Sequence, residues 1–232
     1  VLQTVNAGTN GVSGMLSFTS GTTSSGTSGS ITMATGTATN GKGGDMILSI
    51  GSGTTYTGGD IIVTAGQSTF VTAGTGGAIS ISTGYGRATS SGHIIVSTSD
   101  SGVKGVSGKL SFTSGTTSSG TSGSFSVSTG MSTNGKGGDM ILSIGSGTTY
   151  TGGDIIMKGG ESTFVNGGTC GSISVSTGYG STTSSGALIV QTKNSGTKGA
   201  SGKLSFTSGT TSSGGSGSIE LYTGDATNGE AG

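Results

Sequence analysis

The chain contains no proline and no tryptophan, one cysteine and one histidine, and only 8% of its 232 residues are charged. Each shortage excludes something. A lone Cys170 cannot build an internal disulfide framework or a cysteine zinc site. A lone His93 has no histidine partner for a metal site or a catalytic triad, and its equivalent one repeat later is Ala187. Nine basic and nine acidic residues leave a formal net charge of zero. That lacks the electrostatic footprint of a nucleic-acid binder or of a protein held on anionic lipid. No apolar run approaches the roughly 18 residues of a membrane span. No Asn-x-Ser/Thr acceptor occurs. The first residues, "VLQTVNAGTN", have neither a basic nor an apolar leader region. They begin mid-pattern, so the expectation is a fragment of a longer chain.

Glycine, in contrast, is abundant, at 53 residues. Gly/Ser/Thr-rich chains are often flexible linkers. Here Ile, Val, Leu, Met and Phe recur at regular spacing, which a structureless tract does not require. The spacing comes from an internal repeat. "SGMLSFTSGTTSSGTSGS" from Ser13 returns with one change from Ser107 and with two from Ser201, both offsets being 94 residues. "GKGGDMILSIGSGTTYTGGDII" occurs identically at 41–62 and 135–156.

Within the 94-residue unit lie six shorter segments of 14–17 residues, bounded as Gly11–Ser25, Gly26–Asn40, Gly41–Tyr56, Thr57–Ala73, Gly74–Ser90 and Ser91–Lys104. Each holds one alternating stretch, such as "MLSFTSG", "SITMATG" or "DMILSIG", followed by a glycine-rich turn. Alternation with β-branched enrichment reads as strand. Helix is disfavoured, since each interior glycine costs about 1 kcal/mol. The pattern therefore predicts an all-β chain: a single parallel β-solenoid of about 14 coils, 14–17 residues each, stacked roughly 4.8 Å apart. It divides as 1–10 (the end of a preceding coil), 11–104 and 105–198 (two six-coil super-repeats) and 199–232 (a partial third) in one continuous solenoid. The expected inward residues are Leu16 and Phe18, Ile31 and Met33, Met46 and Leu48 with Ile50, Ile61 and Val63, Ile79 and Ile81, and Ile94 and Val96. Their equivalents repeat to Ile219 and Leu221.

Little chemistry stands out. "GGDMI" and "GGDII" put Asp45 and Asp60 at matching places in adjacent segments, and Asp139 and Asp154 repeat the pair. In a stack, such carboxylates would repel and a Ca2+ ion would relieve them. The plainer reading has each Asp close its turn on backbone N–H groups or pair with Lys42 and Lys136. The spacing is not that of the calcium nonapeptide repeat. "GTGGAIS" and "GYGRATSSG" look loosely like phosphate loops, but no helix is expected after them. No cofactor and no enzymatic activity are expected. On the outward face, Ile47 beside Ile62 and Ile141 beside Ile156 form small apolar patches suited to contact with another surface. Thr19, Thr32 and Thr64 add hydroxyls to that face, which suggests ice, mineral or glycan contact as an alternative.

"GGAISISTG", "GTSGSITMATG" and "GGDMILSIGSG" resemble the Ser/Thr/Gly-rich β-solenoid repeat proteins predicted in diatoms and other algae. The likeness to β-solenoid antifreeze proteins and bacterial adhesin repeats is weaker. The resemblance spans nearly the whole chain and transfers no site residue. It implies a secreted or surface-attached structural role. The expectation is thus a non-enzymatic extracellular segment of a long rigid solenoid, a filament, appendage or adhesive stalk, self-associating end to end or laterally. An ice- or mineral-binding solenoid is the alternative.

Overall fold

The computed structural model describes residues 1–55, 57–149, 151–164, 167–227 and 229. Tyr56, at the end of the third expected segment, Tyr150 of the repeated 22-mer, and the end of the partial third super-repeat at 230–232 lie outside the described residues. The chain divides into two units, Val1–Thr113 and Ser114–Gly232. Neither unit has a helix or a strand among the described residues. The expected all-β solenoid is therefore incorrect: the chain is largely coil.

Its local organisation is nonetheless periodic. In unit 1, three-residue bends fall at 9–11, 24–26, 39–41, 71–73, 87–89 and 103–105, with a further bend at 54–55. In unit 2 they fall at 118–120, 133–135, 181–183, 197–199 and 212–214, with another at 148–149. Between bends run the alternating stretches, here arms without ladder partners among the described residues. Backbone–backbone hydrogen bonds among the described residues join only glycines: Gly77 N–H to Gly66 O and Gly171 N–H to Gly160 O at 2.8 Å, and Gly92 to Gly84, Gly153 to Gly145 and Gly186 to Gly178 at 3.4 Å. Each closes its own loop. A parallel ladder would instead need a bond at nearly every rung between successive coils.

Three features of the sequence oppose that ladder. The segments differ in length by up to three residues, and a slip of one residue exchanges the two faces of a strand. Glycine loses more backbone freedom than any other residue when ordered. The Ser and Thr hydroxyls also take backbone groups locally. In "TTSSG", the Thr23 hydroxyl donates to Ser25 O at 2.9 Å and accepts from the Ser25 N–H at 3.3 Å. Thr117 with Ser119 and Thr211 with Ser213 reproduce both bonds. The glycine that follows adopts a left-handed φ in all three copies: 105° at Gly26, 102° at Gly120 and 107° at Gly214. A side chain there would be strained. The identical sequence thus builds the same small turn three times with no help from tertiary packing.

No residue is buried among those described, and the expected core is open. The total accessible surface is 22969 Å² for 21.9 kDa. A compact chain of this mass would expose about 9,300 Å² and its unfolded form about 32,000 Å². One trace of the expected face pattern survives. The first inward residue of each stretch is 49–66% exposed (Leu204 and Ile155 at the low end, Phe125 at the high end), while the outward isoleucines are 72–84% exposed. The second inward residues run from 57% at Val190 to 88% at Leu221, with Met33 and Ile81 at 76%, so the bias is confined to the first. The alternation makes two-faced arms in which the first inward residue is about half covered.

Candidate functional site

The recurring unit of this chain is a closed loop. In each, a glycine returns against a residue nine to twelve positions earlier. A Cβ built on that glycine would touch the earlier residue, as at Gly29 against Ser20, Gly44 against Thr35, Gly92 against Thr83, Gly138 against Thr129 and Gly217 against Ser208. Closer still are Gly59 on Ile50 and Gly153 on Ile144, where a Cβ would lie 2.6 and 2.7 Å from Cγ2 of the isoleucine. The closing glycine stands immediately before each alternating stretch. That placement was visible in the sequence as the glycine of "GGD", "GSI" or "GHI", but a contact nine residues back carries no local signal.

Asp45, Asp60, Asp139 and Asp154 each follow a closing glycine directly, so all four sit at equivalent exits from their loops. Their surroundings differ. Lys42 Nζ lies 2.8 Å from both carboxylate oxygens of Asp45, and Lys136 Nζ lies 2.7 Å from Oδ2 of Asp139. At the equivalent place three residues before Asp60 and Asp154 the chain has Thr57 and Thr151, and neither aspartate has an ion-pair partner among the described residues. Among those residues no group of three or more His, Cys, Asp or Glu side chains converges to hold a metal ion. The arrangement brings a lysine, not a second carboxylate and a third ligand, to Asp45 and Asp139.

Both ion pairs are exposed, with side chains 62–79% accessible. Water and salt screen such pairs, which contribute roughly 0.2–1 kcal/mol at most. Lys42→Ala is accordingly expected to leave the neighbouring loop intact. The Thr35 hydroxyl, which donates to Gly44 O at 3.1 Å, should keep its bond, and the methyl and amide shifts of Thr35 should move little. Large shifts across 35–44 would show that the lysine, not the glycine contact, closes the loop.

The expected contact surface is fully accessible. Ile47, Ile62, Ile141 and Ile156 are 83%, 82%, 83% and 72% exposed. Thr19, Thr32 and Thr64 are exposed as well. Thr32 borders an open groove of about 270 Å³ whose other lining residues are Phe18, Ile31 and Met33. This groove forms where the arm of one loop passes the arm of the next. It presents an apolar floor with one hydroxyl at its edge and no titratable group. Cys170 is a free exposed thiol, and His93 lies on an exposed arm. No described helix is long and apolar enough to cross a membrane.

The chain matches no family model, no characterised protein and no solved structure.

Proposed function

We propose that this chain is a non-enzymatic extracellular or cell-surface structural protein that works by associating with copies of itself, as filament, surface layer or adhesive material. The supporting observation is the periodic display of large apolar side chains, none of them buried among the described residues. Soluble single chains rarely expose contiguous apolar patches beyond a few hundred Å². Here the accessible surface exceeds that of a compact chain of the same mass more than twofold. A formal net charge of zero removes the repulsion that keeps copies apart. The localisation rests on the Ser/Thr/Gly-rich composition and on the likeness to algal repeat proteins.

The rigid-rod mechanism falls with the solenoid. What replaces it is a pliant chain with many weak, equivalent contact points, whose summed valency gives cohesion without one strong interface. Exposed hydroxyls keep it wettable and open to glycan or mineral surfaces. An ice-binding face needs a flat, regular lattice, and the arms lack the sheet that would flatten it.

Sedimentation velocity across a concentration series tests the reading. The expected result is a weight-average sedimentation coefficient that rises with concentration. Changing Ile47, Ile62, Ile141 and Ile156 together to Asp should lower it markedly, because each carboxylate replaces an apolar contact and adds charge. A single species at all concentrations, in both proteins, sinks self-association. Thermal hysteresis in such a monomeric sample would favour surface binding instead.

A further inference from the structure

Five of the seven asparagines in this chain are followed by glycine. Three of those five, Asn10, Asn40 and Asn134, lie in described bends, at 9–11, 39–41 and 133–135, and all three are exposed. Asn166 and Asn228 lie outside the described residues. The remaining two, Asn6 before Ala7 and Asn194 before Ser195, lie in arms, away from any bend.

We propose that Asn10, Asn40 and Asn134 are self-modification sites, which convert to aspartate and isoaspartate through a cyclic imide. At Asn40, solvent base removes the Gly41 amide proton and the Gly41 nitrogen attacks Asn40 Cγ. The N–Cγ bond forms, the Cγ–Nδ2 bond breaks, and Nδ2 leaves as ammonia. Water then opens the imide. Cleavage at Cγ yields aspartate, and cleavage at the backbone carbonyl yields isoaspartate with the main chain rerouted through the side chain. Nothing is oxidised or reduced: one water is consumed and one ammonia is released.

Three observations favour the reaction at these places. First, the attacking nitrogen belongs to a residue without a Cβ, so nothing on it obstructs the ring. At Gly41 no atom lies within 4 Å of where a Cβ would stand, whereas Ala7 Cβ lies at 3.4 Å from that place on Gly11 and Ser132 Oγ at 3.1 Å on Gly135, so the ring has most room at Asn40. Second, among the described residues no hydrogen bond occupies the N–H of Gly11, Gly41 or Gly135, so the nucleophile is not held by another acceptor. Third, no helix or strand fixes the asparagine backbone, so it is free to rotate into the attacking geometry. Ordered backbone protects an Asn–Gly pair by denying it that rotation, and here there is none to do so.

Each conversion replaces a neutral amide by a carboxylate in a chain whose formal net charge is zero. At position 40 the new charge appears two residues from Lys42, whose ammonium already sits 2.8 Å from Asp45, and competes for it. If the chain associates with itself as proposed above, accumulated negative charge loosens the assembly with age. That consequence rests on the self-association reading; the modification does not.

The test incubates the full chain in mildly alkaline buffer made with heavy-oxygen water and follows each asparagine by peptide mass spectrometry. Asn10, Asn40 and Asn134 are expected to gain heavy oxygen at least about tenfold faster than Asn6 and Asn194 in the same molecule, equivalent to about 1.4 kcal/mol of barrier. Gly41→Ala should bring Asn40 down to the rate of Asn6 and leave Asn10 and Asn134 unchanged. The open space at Gly41, and its φ outside the left-handed region, mean the alanine fits without disturbing the bend. Equal rates at all described asparagines, or unchanged labelling of Asn40 in Gly41→Ala, overturns the proposal. Sedimentation of aged against fresh protein separates the consequence from the cause: labelling without loss of association upholds the modification and removes its effect on assembly.

Discussion

Titrated with urea at low concentration, the chain is expected to show no cooperative transition. A two-state transition needs a core whose parts fail together, and no described residue is buried. The denaturant slope scales with the surface newly exposed. Going from 22969 Å² to the roughly 32,000 Å² of the unfolded chain exposes only about two-fifths of the area that a compact protein of this mass would release. Any residual drift in signal should therefore be shallow and nearly linear. Far-UV circular dichroism should lack a strand minimum, and most amides should exchange almost as fast as in an unstructured peptide, since so few are hydrogen-bonded within the chain. A sigmoidal urea curve with a slope typical of a 232-residue protein, together with strongly protected amides, would overturn the open-chain description. The same measurement repeated at rising concentration also separates the single chain from its assemblies, because association that orders the arms would introduce protection absent from the dilute sample.

What the sequence made legible was local. The segments of 14–17 residues reappear as a bend near each boundary of the first 94-residue repeat, and the three "TTSSG" copies form one turn with the same pair of hydrogen bonds. Those features depend on neighbours within a few residues. The pairing of Asp45 with Lys42 was legible for the same reason, because a lysine three positions upstream lies within reach. Asp60 has Thr57 there and no such pairing. The solenoid was a different kind of inference. Alternation in "SITMATG" establishes that Ile31 and Met33 share a face, and their arm does keep Ile31 the more covered of the two, at 56% against 76% exposed. It does not establish that another strand lies alongside. Ladder pairing is non-local, and unequal segment lengths set successive arms out of register. Two or three bulky side chains per segment are too little apolar surface to enforce register against glycine's freedom. The loop closures escaped sequence reading for the opposite reason: a glycine nine to twelve residues from its contact shows no periodicity of its own.

If those closures organise the chain, their strength should follow what each glycine touches. At Gly171 a Cβ would stand 2.8 Å from the backbone nitrogen of Gly160, and the Gly171 N–H donates to Gly160 O at 2.8 Å. Backbone cannot swing aside as a side chain can, so Gly171→Ala is expected to open the loop and lose the hydrogen bond. With a net worth of about 1 kcal/mol, that bond's loss should speed exchange of the residue-171 amide about fivefold. Gly77 is the matching closure in unit 1, with the same 2.8 Å bond but 3.2 Å between a Cβ and Gly66 N. Its alanine variant should show a smaller change in the same direction. Gly59→Ala meets only the Cγ2 methyl of Ile50, at 2.6 Å, which a χ1 rotamer change relieves. Its signature should be a shifted Ile50 methyl resonance, with the loop still closed. Gly123→Ala, with Ser114 Cβ at 3.6 Å, is the ordinary contact and should change nothing. The ordering Gly171, Gly77, Gly59, Gly123 is thus the prediction, read by amide exchange and methyl shifts on one set of four variants. Equal responses at Gly171 and Gly123 would mean that the close approaches do not hold the loops. The periodic bends would then be set by the Ser/Thr turns and left-handed glycines alone.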